Sequence, residues 1–366
     1  MELNDKIRPD LKDFPPYSAH TSPDTLKEQF GLSVEEIIKL DANENPYGCP
    51  PRVVQALSKF KSYGVYPDAS QLELRRRISD YIGVDPERIV IGAGSDQLID
   101  LIIRLMIKPG DGIINLPPTF GMYSFYARLA GAKIIEIKRH ANFQVNNAEI
   151  EASIEPETKL IFVANPNNPT GNLISKQGIK ELLQTGLAVV VDEAYYEFSG
   201  QTVMDWIGQY DNLIVLRSFS KWAGLAGLRV GYGVFPATLA DYMMRIKDPY
   251  SVNAAAQVAV IEALESKAYL LNQVRDIINE RQRLFDQLRR IEGIEPYPSD
   301  ANFILCDCSR HNAPLIVNEL KNRGMLVRWF DAPKLRQCIR ISIGRPEQND
   351  ILVESIKEIL GEVKPW

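Results

Sequence analysis

From Arg88 onward the chain alternates short β-branched runs with stretches of helical pattern: Ile89-Val90-Ile91, Ile113-Ile114, Ile134-Ile135, Leu160-Ile161-Phe162-Val163, Val189-Val190-Val191 and Leu213-Ile214-Val215-Leu216. Runs this apolar have no polar face to give to water, so both sides of each strand need a cover. A mostly parallel sheet with helices on both faces meets that need, which sets the class as α/β. Between Ala237 and Ile291 the pattern turns helical and largely unbroken, with Leu264, Leu271, Val274, Ile278, Phe285 and Leu288 at helix-like spacing. The remainder reads as strand (303–305), helix (315–322), two strands (326–327 and 339–343) and a closing helix (350–360), a smaller α+β unit. Residues 1–50 carry prolines at 9, 15, 16, 23, 46 and 50, too many for one continuous helix, and predict an arm laid over other structure.

With 366 residues, 45% of them hydrophobic, the chain has material for a large core and a smaller companion. A net charge of −5 would repel a duplex or an anionic membrane surface, so neither nucleic acid nor membrane is expected as a partner. The start, Met1 to Lys6, lacks a basic segment followed by an apolar run, and the strongest internal run, Leu101 to Ile107, is interrupted by Arg104. Neither a signal peptide nor a membrane span is expected. Four cysteines, at 49, 306, 308 and 338, are too scattered for a disulfide framework and fit a reducing cytoplasm. Cys306 and Cys308 lack the usual zinc spacing and the three histidines are scattered, so no metal site is expected.

Four segments carry groups suited to chemistry. Ser218-Phe219-Ser220-Lys221 follows a buried-type strand and precedes Gly224, Gly227 and Arg229, collecting hydroxyls, an amine and a guanidinium where open α/β sheets bind ligands. A solvated turn is the alternative reading. Asp192-Glu193-Ala194-Tyr195 closes the run Val189-Val190-Val191; Asp192 is either held against a ligand or caps a helix. Asn165-Pro166-Asn167-Asn168-Pro169-Thr170-Gly171 forms a turn of unusual length, which is structural or functional. Gly92-Ala93-Gly94-Ser95-Asp96 joins a strand to a helix whose first amides suit a phosphate; a dinucleotide fold would want a further glycine where the chain has Gln97.

One ligand would use all four segments at once. Pyridoxal 5'-phosphate needs a carboxylate at its ring nitrogen, donors at its phenolic oxygen, a phosphate cradle and an amine. Asp192 would keep the ring nitrogen protonated, and Lys221 would supply the amine and carry a proton as general base and acid.

These segments, in this order and over nearly the whole chain, resemble the class I/II aminotransferases of fold type I. Within that family, Leu40-Asp41-Ala42-Asn43-Glu44-Asn45-Pro46-Tyr47-Gly48, Tyr66-Pro67-Asp68, Gly94-Ser95-Asp96, Pro117 to Tyr123 and Gly224-Leu225-Ala226-Gly227-Leu228-Arg229 are similar to the branch that acts on histidinol phosphate. The resemblance implies a large cofactor-binding domain (51–265) with a mostly parallel, mixed seven-stranded sheet covered by helices. It also implies a small α+β domain (266–366), with residues 1–50 as an arm and part of the small domain.

It further implies that Asn168 and Tyr195 bind the phenolic oxygen and that Asp192 pairs with the ring nitrogen. Ser218, Ser220, Arg229 and the cradle of Gly94, Ser95 and Asp96 would hold the phosphate, Phe120 would stack on the ring, and Tyr66 would reach in from a second subunit of a homodimer. Arg340 and Arg328 would anchor the substrate, two cations suiting a dianionic phosphate. Asn43 and Tyr47 would cover it from the arm, with Tyr17 and Tyr123 as further candidates. The expected reaction moves an amino group between histidinol phosphate as donor and a 2-oxo acid, 2-oxoglutarate, in histidine biosynthesis. An aromatic amino-acid aminotransferase and a threonine-phosphate decarboxylase are the alternatives. Trp222, Ala223 and Gln97 depart from the commoner pattern of the branch.

Overall fold

The computed structural model describes residues 3–12, 14 and 37–362. The first strand, β1 (Ile38–Leu40), belongs to a small sheet. The main sheet uses β2 (Ile89–Gly92), β3 (Gly112–Asn115), β4 (Lys133–Glu136), β5 (Thr158–Ala164), β6 (Ala188–Asp192), β7 (Leu213–Ser218) and β8 (Gly231–Val234). Their order across it is β2-β8-β7-β6-β5-β3-β4, and β8 alone runs antiparallel to its neighbours.

Both faces are covered, as strands without a polar side require. Alternate residues enter different cores: Ile161, Val163, Val189 and Val191 pack with helices 72–82 and 176–184, while Leu160, Phe162 and Val190 pack with helices 94–106 and 237–246. The order of the sheet hides β8 from a search for β-branched runs, because two of its four residues are glycine. A Cβ on Gly231 would lie 2.4 Å from the backbone nitrogen of Ser95, so the bare backbone there lets helix 94–106 begin against the sheet.

The helical stretch after Ala237 is interrupted, contrary to the sequence expectation. It forms helices Ala237–Ile246, Ala254–Glu265 and Lys267–Leu288. The first break holds Pro249, which lacks an N–H, and Asn253 restarts the helix by accepting a hydrogen bond from the Ala256 amide. The remaining strands, β9 (Glu295–Pro296), β10 (Phe303–Asp307), β11 (Met325–Trp329) and β12 (Cys338–Ser342), form the second sheet in the order β1-β11-β12-β10-β9. At the N-terminus, Arg8 donates to the carbonyl of Leu129 at 3.2 Å and the Phe14 ring meets Phe125 edge-on at 5.2 Å, so this segment lies on helix 122–129. Among the described residues, no helix is long and apolar enough to cross a membrane, and no His/Cys/Asp/Glu cluster could hold a metal.

Strand alternation also builds the support beneath the cleft. Asp192 and Ser218 line it, whereas their neighbours Glu193 and Arg217 pair in the interior, with side chains 0% and 4% exposed. The Glu193 carboxylate accepts from Arg217 Nε at 3.0 Å and Nη2 at 2.9 Å, from Thr202 Oγ1 at 2.8 Å and from the Val203 amide at 2.8 Å. The arginine also lies 3.6 Å over the Tyr196 ring. Arg217→Met would leave that carboxylate buried without its cation. We expect a loss of about 3–5 kcal/mol in urea unfolding; a loss below about 1 kcal/mol would show that the pair is not holding β6 to β7.

Candidate active site

The C-terminal ends of the parallel strands open onto a cleft of about 770 Å³, roofed by residues 42–44 and by the second sheet. This is where an open α/β sheet leaves unpaired backbone and room for a ligand. Lys221 sits in the turn after β7, and its Nζ donates to the carbonyl of Ala42 at 2.9 Å. Burial pushes its pKa down to about 8; Arg340 and Arg229 add to the fall and Glu44 opposes it. A substantial fraction of this lysine is therefore neutral, and nucleophilic, near physiological pH.

Asp192 ends β6 with Oδ1 accepting from the Ala194 amide at 3.0 Å and Oδ2 accepting from the Tyr123 hydroxyl at 2.7 Å. Burial nevertheless pushes its carboxyl up to about 6, against the pull of both donors. Such an acid gains from a cation placed opposite it. Tyr123 is fully buried and stacks on Phe162 at 4.6 Å. Its hydroxyl is committed to Asp192, while the residue also lines the cleft.

The Tyr195 hydroxyl accepts from Asn43 Nδ2 at 2.9 Å. Asn43 is only 1% exposed and has a left-handed backbone, φ 55°. Its amide donates to Ser342 Oγ at 2.8 Å and its carbonyl accepts from Asn302 at 2.9 Å, so it is clamped between the two sheets and lines the cleft from within. Asn168 Oδ1 accepts from Arg340 Nη1 at 2.6 Å, which orients its amide.

Helix 94–106 points its first turn at the other end of the cleft, where Ser95, Asp96, Ser218, Ser220 and Arg229 line the wall. Its free amides and dipole favour an anion. Arg229 holds Asp96 Oδ2 at 2.7 Å, and a Cβ on Gly94 would come within 2.6 Å of the Arg229 guanidinium. Gln97, the unusual residue of this loop, accepts from the Ala93 amide at 2.7 Å and secures the approach to the helix. Trp222, the other departure, is fully buried, stacks on Tyr81 at 5.4 Å and gives its carbonyl to Asn45.

Arg340 on β12 and Arg328 on β11 stand directly opposite one another, and both line the cleft. Arg340 also donates to the carbonyl of Asp41 at 2.5 Å. Phe120 lines the cleft and meets Tyr123 edge-on at 5.5 Å.

Two candidates lie elsewhere in this chain. Tyr47 does not line the cleft; its ring packs under Arg345 at 5.7 Å, because the chain turns away at Pro46. Tyr66 is 78% exposed outside the chain's own cleft and stacks on Tyr250 at 4.5 Å. Tyr17 lies outside the described residues. The sequence reading missed Phe330, whose ring lies 5.5 Å from the Arg328 guanidinium and 5.6 Å from that of Arg340. Its position two residues after Arg328 was the available signal. It also missed the carbonyls of Asp41 and Ala42, which no side chain advertises.

The set fits a phosphate-bearing pyridine aldehyde: a buried acid for a ring nitrogen, a helix start with Arg229 for a phosphate, and an amine of lowered pKa between them. Comparison with known proteins agrees. The family Aminotransferase class I and II matches residues 35–356. Histidinol-phosphate aminotransferase of Dehalococcoides mccartyi is 53% identical over 360 residues, covering 98% of this chain and 99% of that protein. The chloroplastic histidinol-phosphate aminotransferase 1 of Arabidopsis thaliana is 44% identical, covering 96% of this chain and 85% of the relative. The crystal structure of histidinol-phosphate aminotransferase from Sinorhizobium meliloti, in complex with pyridoxal-5'-phosphate, superposes with a TM-score of 0.90 at 26% identity, covering 98% of both chains. By its sequence match and by the architecture of its cleft, this chain belongs to the class I and II aminotransferases.

Proposed function

We propose that the chain moves an amino group between histidinol phosphate and 2-oxoglutarate, giving imidazole-acetol phosphate and glutamate, a step of histidine biosynthesis, with pyridoxal 5'-phosphate as cofactor. The observation that carries the substrate is the cross-strand pair Arg328 and Arg340. Like charges directly opposite on a sheet repel, and a dianion between them converts that cost into binding. A phosphate monoester supplies two charges where a carboxylate supplies one. The identity to relatives bearing this name, 44–53% over nearly the whole chain, supports the same reading.

The bound cofactor supplies an aldehyde for the amino group and a protonated ring that withdraws the electron pair left at the substrate's α-carbon. Asp192, fixed by Tyr123 and the Ala194 amide, would keep the proton on the ring nitrogen. Asn168 and Tyr195 would donate to the phenolic oxygen, each aligned by a second hydrogen bond, from Arg340 and Asn43 respectively. Ser218, Ser220, Arg229 and the amides of Ser95 and Asp96 would hold the phosphate, and Phe120 would lend an apolar face to the ring. Lys221 would hold the aldehyde. Its amine would also be the base, and then the acid, that moves the substrate's α-proton.

A homodimer with shared sites belongs to the same proposal. Tyr66 and Tyr250 form an exposed aromatic stack flanked by Tyr63 and Val65, apolar surface that a second copy would cover. Four free thiols, three of them buried, suit a reducing cytoplasm.

The test is a panel of amino donors with the purified chain, followed through the cofactor spectrum. We expect a rapid response to histidinol phosphate, a weak one to phenylalanine and no released carbon dioxide. A preference for phenylalanine would overturn the substrate, and carbon dioxide without amino transfer would overturn the reaction. Arg328→Met should reduce kcat/KM for histidinol phosphate by about 10- to 100-fold, the loss of a charged hydrogen bond, and alter phenylalanine far less. Lys221→Ala should turn over negligibly. In the cofactor-free protein, capture of pyridoxal phosphate should accelerate as pH rises through about 8, because only the neutral amine of Lys221 attacks. A rate independent of pH between 6.5 and 9, roughly the window set by that pKa, would contradict it.

A further inference from the structure

Lys247 lies outside the cleft, in the break between helices 237–246 and 254–265. It is only 5% exposed, and its Nζ donates to Gln71 Oε1 at 2.7 Å and to the carbonyl of Ile91 at 3.0 Å. Neither acceptor is a carboxylate. Burial pushes its pKa down to about 8, with Arg75 adding to the fall and Asp248 opposing it. An ammonium buried against neutral acceptors is costly, and the cost is borne where two segments have to be fixed to each other.

One segment leads into the phosphate end of this chain's cleft, and the other carries Tyr66, which in the proposed homodimer faces the partner's. Ile91 lies in β2, three residues before Gly94, so the ammonium grips the strand that leads into the helix start. On its other flank that start is fixed by the close approach of Gly231 to the Ser95 amide. Gln71 is 1% exposed and holds a left-handed backbone, φ 53°, which a non-glycine residue keeps only when its surroundings impose it. It closes a turn in which the Asp68 carboxylate accepts from the amides of Ser70 and Leu72. That turn directly follows Tyr66 and Pro67, and the segment after Lys247 carries Tyr250, the ring stacked on Tyr66.

We propose that Lys247 is a positioning residue for phosphate binding: one buried ammonium ties the Tyr66 turn to the strand beneath the phosphate-facing helix start. This rests on the reading of the site as a pyridoxal phosphate site. The experiment titrates cofactor-free protein with pyridoxal 5'-phosphate and with pyridoxal, which lacks the phosphate, by tryptophan fluorescence. In Lys247→Met and Lys247→Gln the dissociation constant for the phosphorylated ligand should rise about tenfold, the scale of a lost charged hydrogen bond, while that for pyridoxal stays within about twofold. Lys247→Arg, which keeps charge and donors, should restore most of the difference. Equal weakening toward both ligands would reveal general loosening and overturn the proposal, as would no change in any variant. A wild-type protein that binds pyridoxal as tightly as its phosphate would instead overturn the cofactor reading itself. If the methionine and glutamine variants do not fold, Gln71→Asn, which keeps a residue tolerant of the left-handed backbone but draws the acceptor away from Lys247, is titrated instead: weakening confined to the phosphorylated ligand supports the tie, and an unchanged preference overturns it.

Discussion

The hydrogen bond from Tyr123 to Asp192 joins the core to the chemistry. Tyr123 is locked by its stack on Phe162 inside the sheet's own packing, so the carboxylate it holds inherits the rigidity of the core. Burial raises the pKa of Asp192 to about 6 and lowers that of Lys221 to about 8, drawing together two groups that differ by far more in water. Each sits where its charge is least supported by solvent, and a ligand with a basic ring and an electrophilic carbon relieves both at once. Buried groups in a cleft whose pKa values burial shifts this far are candidates for acid–base chemistry.

The side chains that build this environment come from strand ends, a helix start and the turns beside them, on a frame that holds them still. Glu193 and Arg217 lock the ends of β6 and β7 one residue away from Asp192 and Ser218. Gly231 and Gln97 fix where helix 94–106 begins. Asn43, with its strained backbone, bolts the second sheet to Tyr195. Preorganisation of this kind lets donors meet developing charge without first reorienting.

Much of this was legible in the sequence, and the misses share a cause. The parallel strands were visible because buried strands are made of β-branched runs; β8 was not, because its glycines record the proximity of a helix that only the fold brings near. Lys221, Asp192 and Asn168 could be picked out because each follows a strand end, where function concentrates in such sheets. Tyr123 was recognised as a candidate but its partner was not, since 69 positions separate it from Asp192. Tyr47 looked like part of an arm over the substrate, and only the direction of the chain after Pro46 removes it from the cleft. Lys247 gave no signal at all, because its partners, Gln71 and Ile91, are more than 150 positions away in sequence.

Lys221 and Arg340 lean on two consecutive carbonyls, those of Ala42 and Asp41. Anything that claims the lysine and the arginine has to win them from the backbone first. An affinity measured for such a ligand is therefore an exchange energy, smaller than the contacts alone would suggest. The same exchange would strip two donors from the short span leading out of β1, the edge strand of the second sheet.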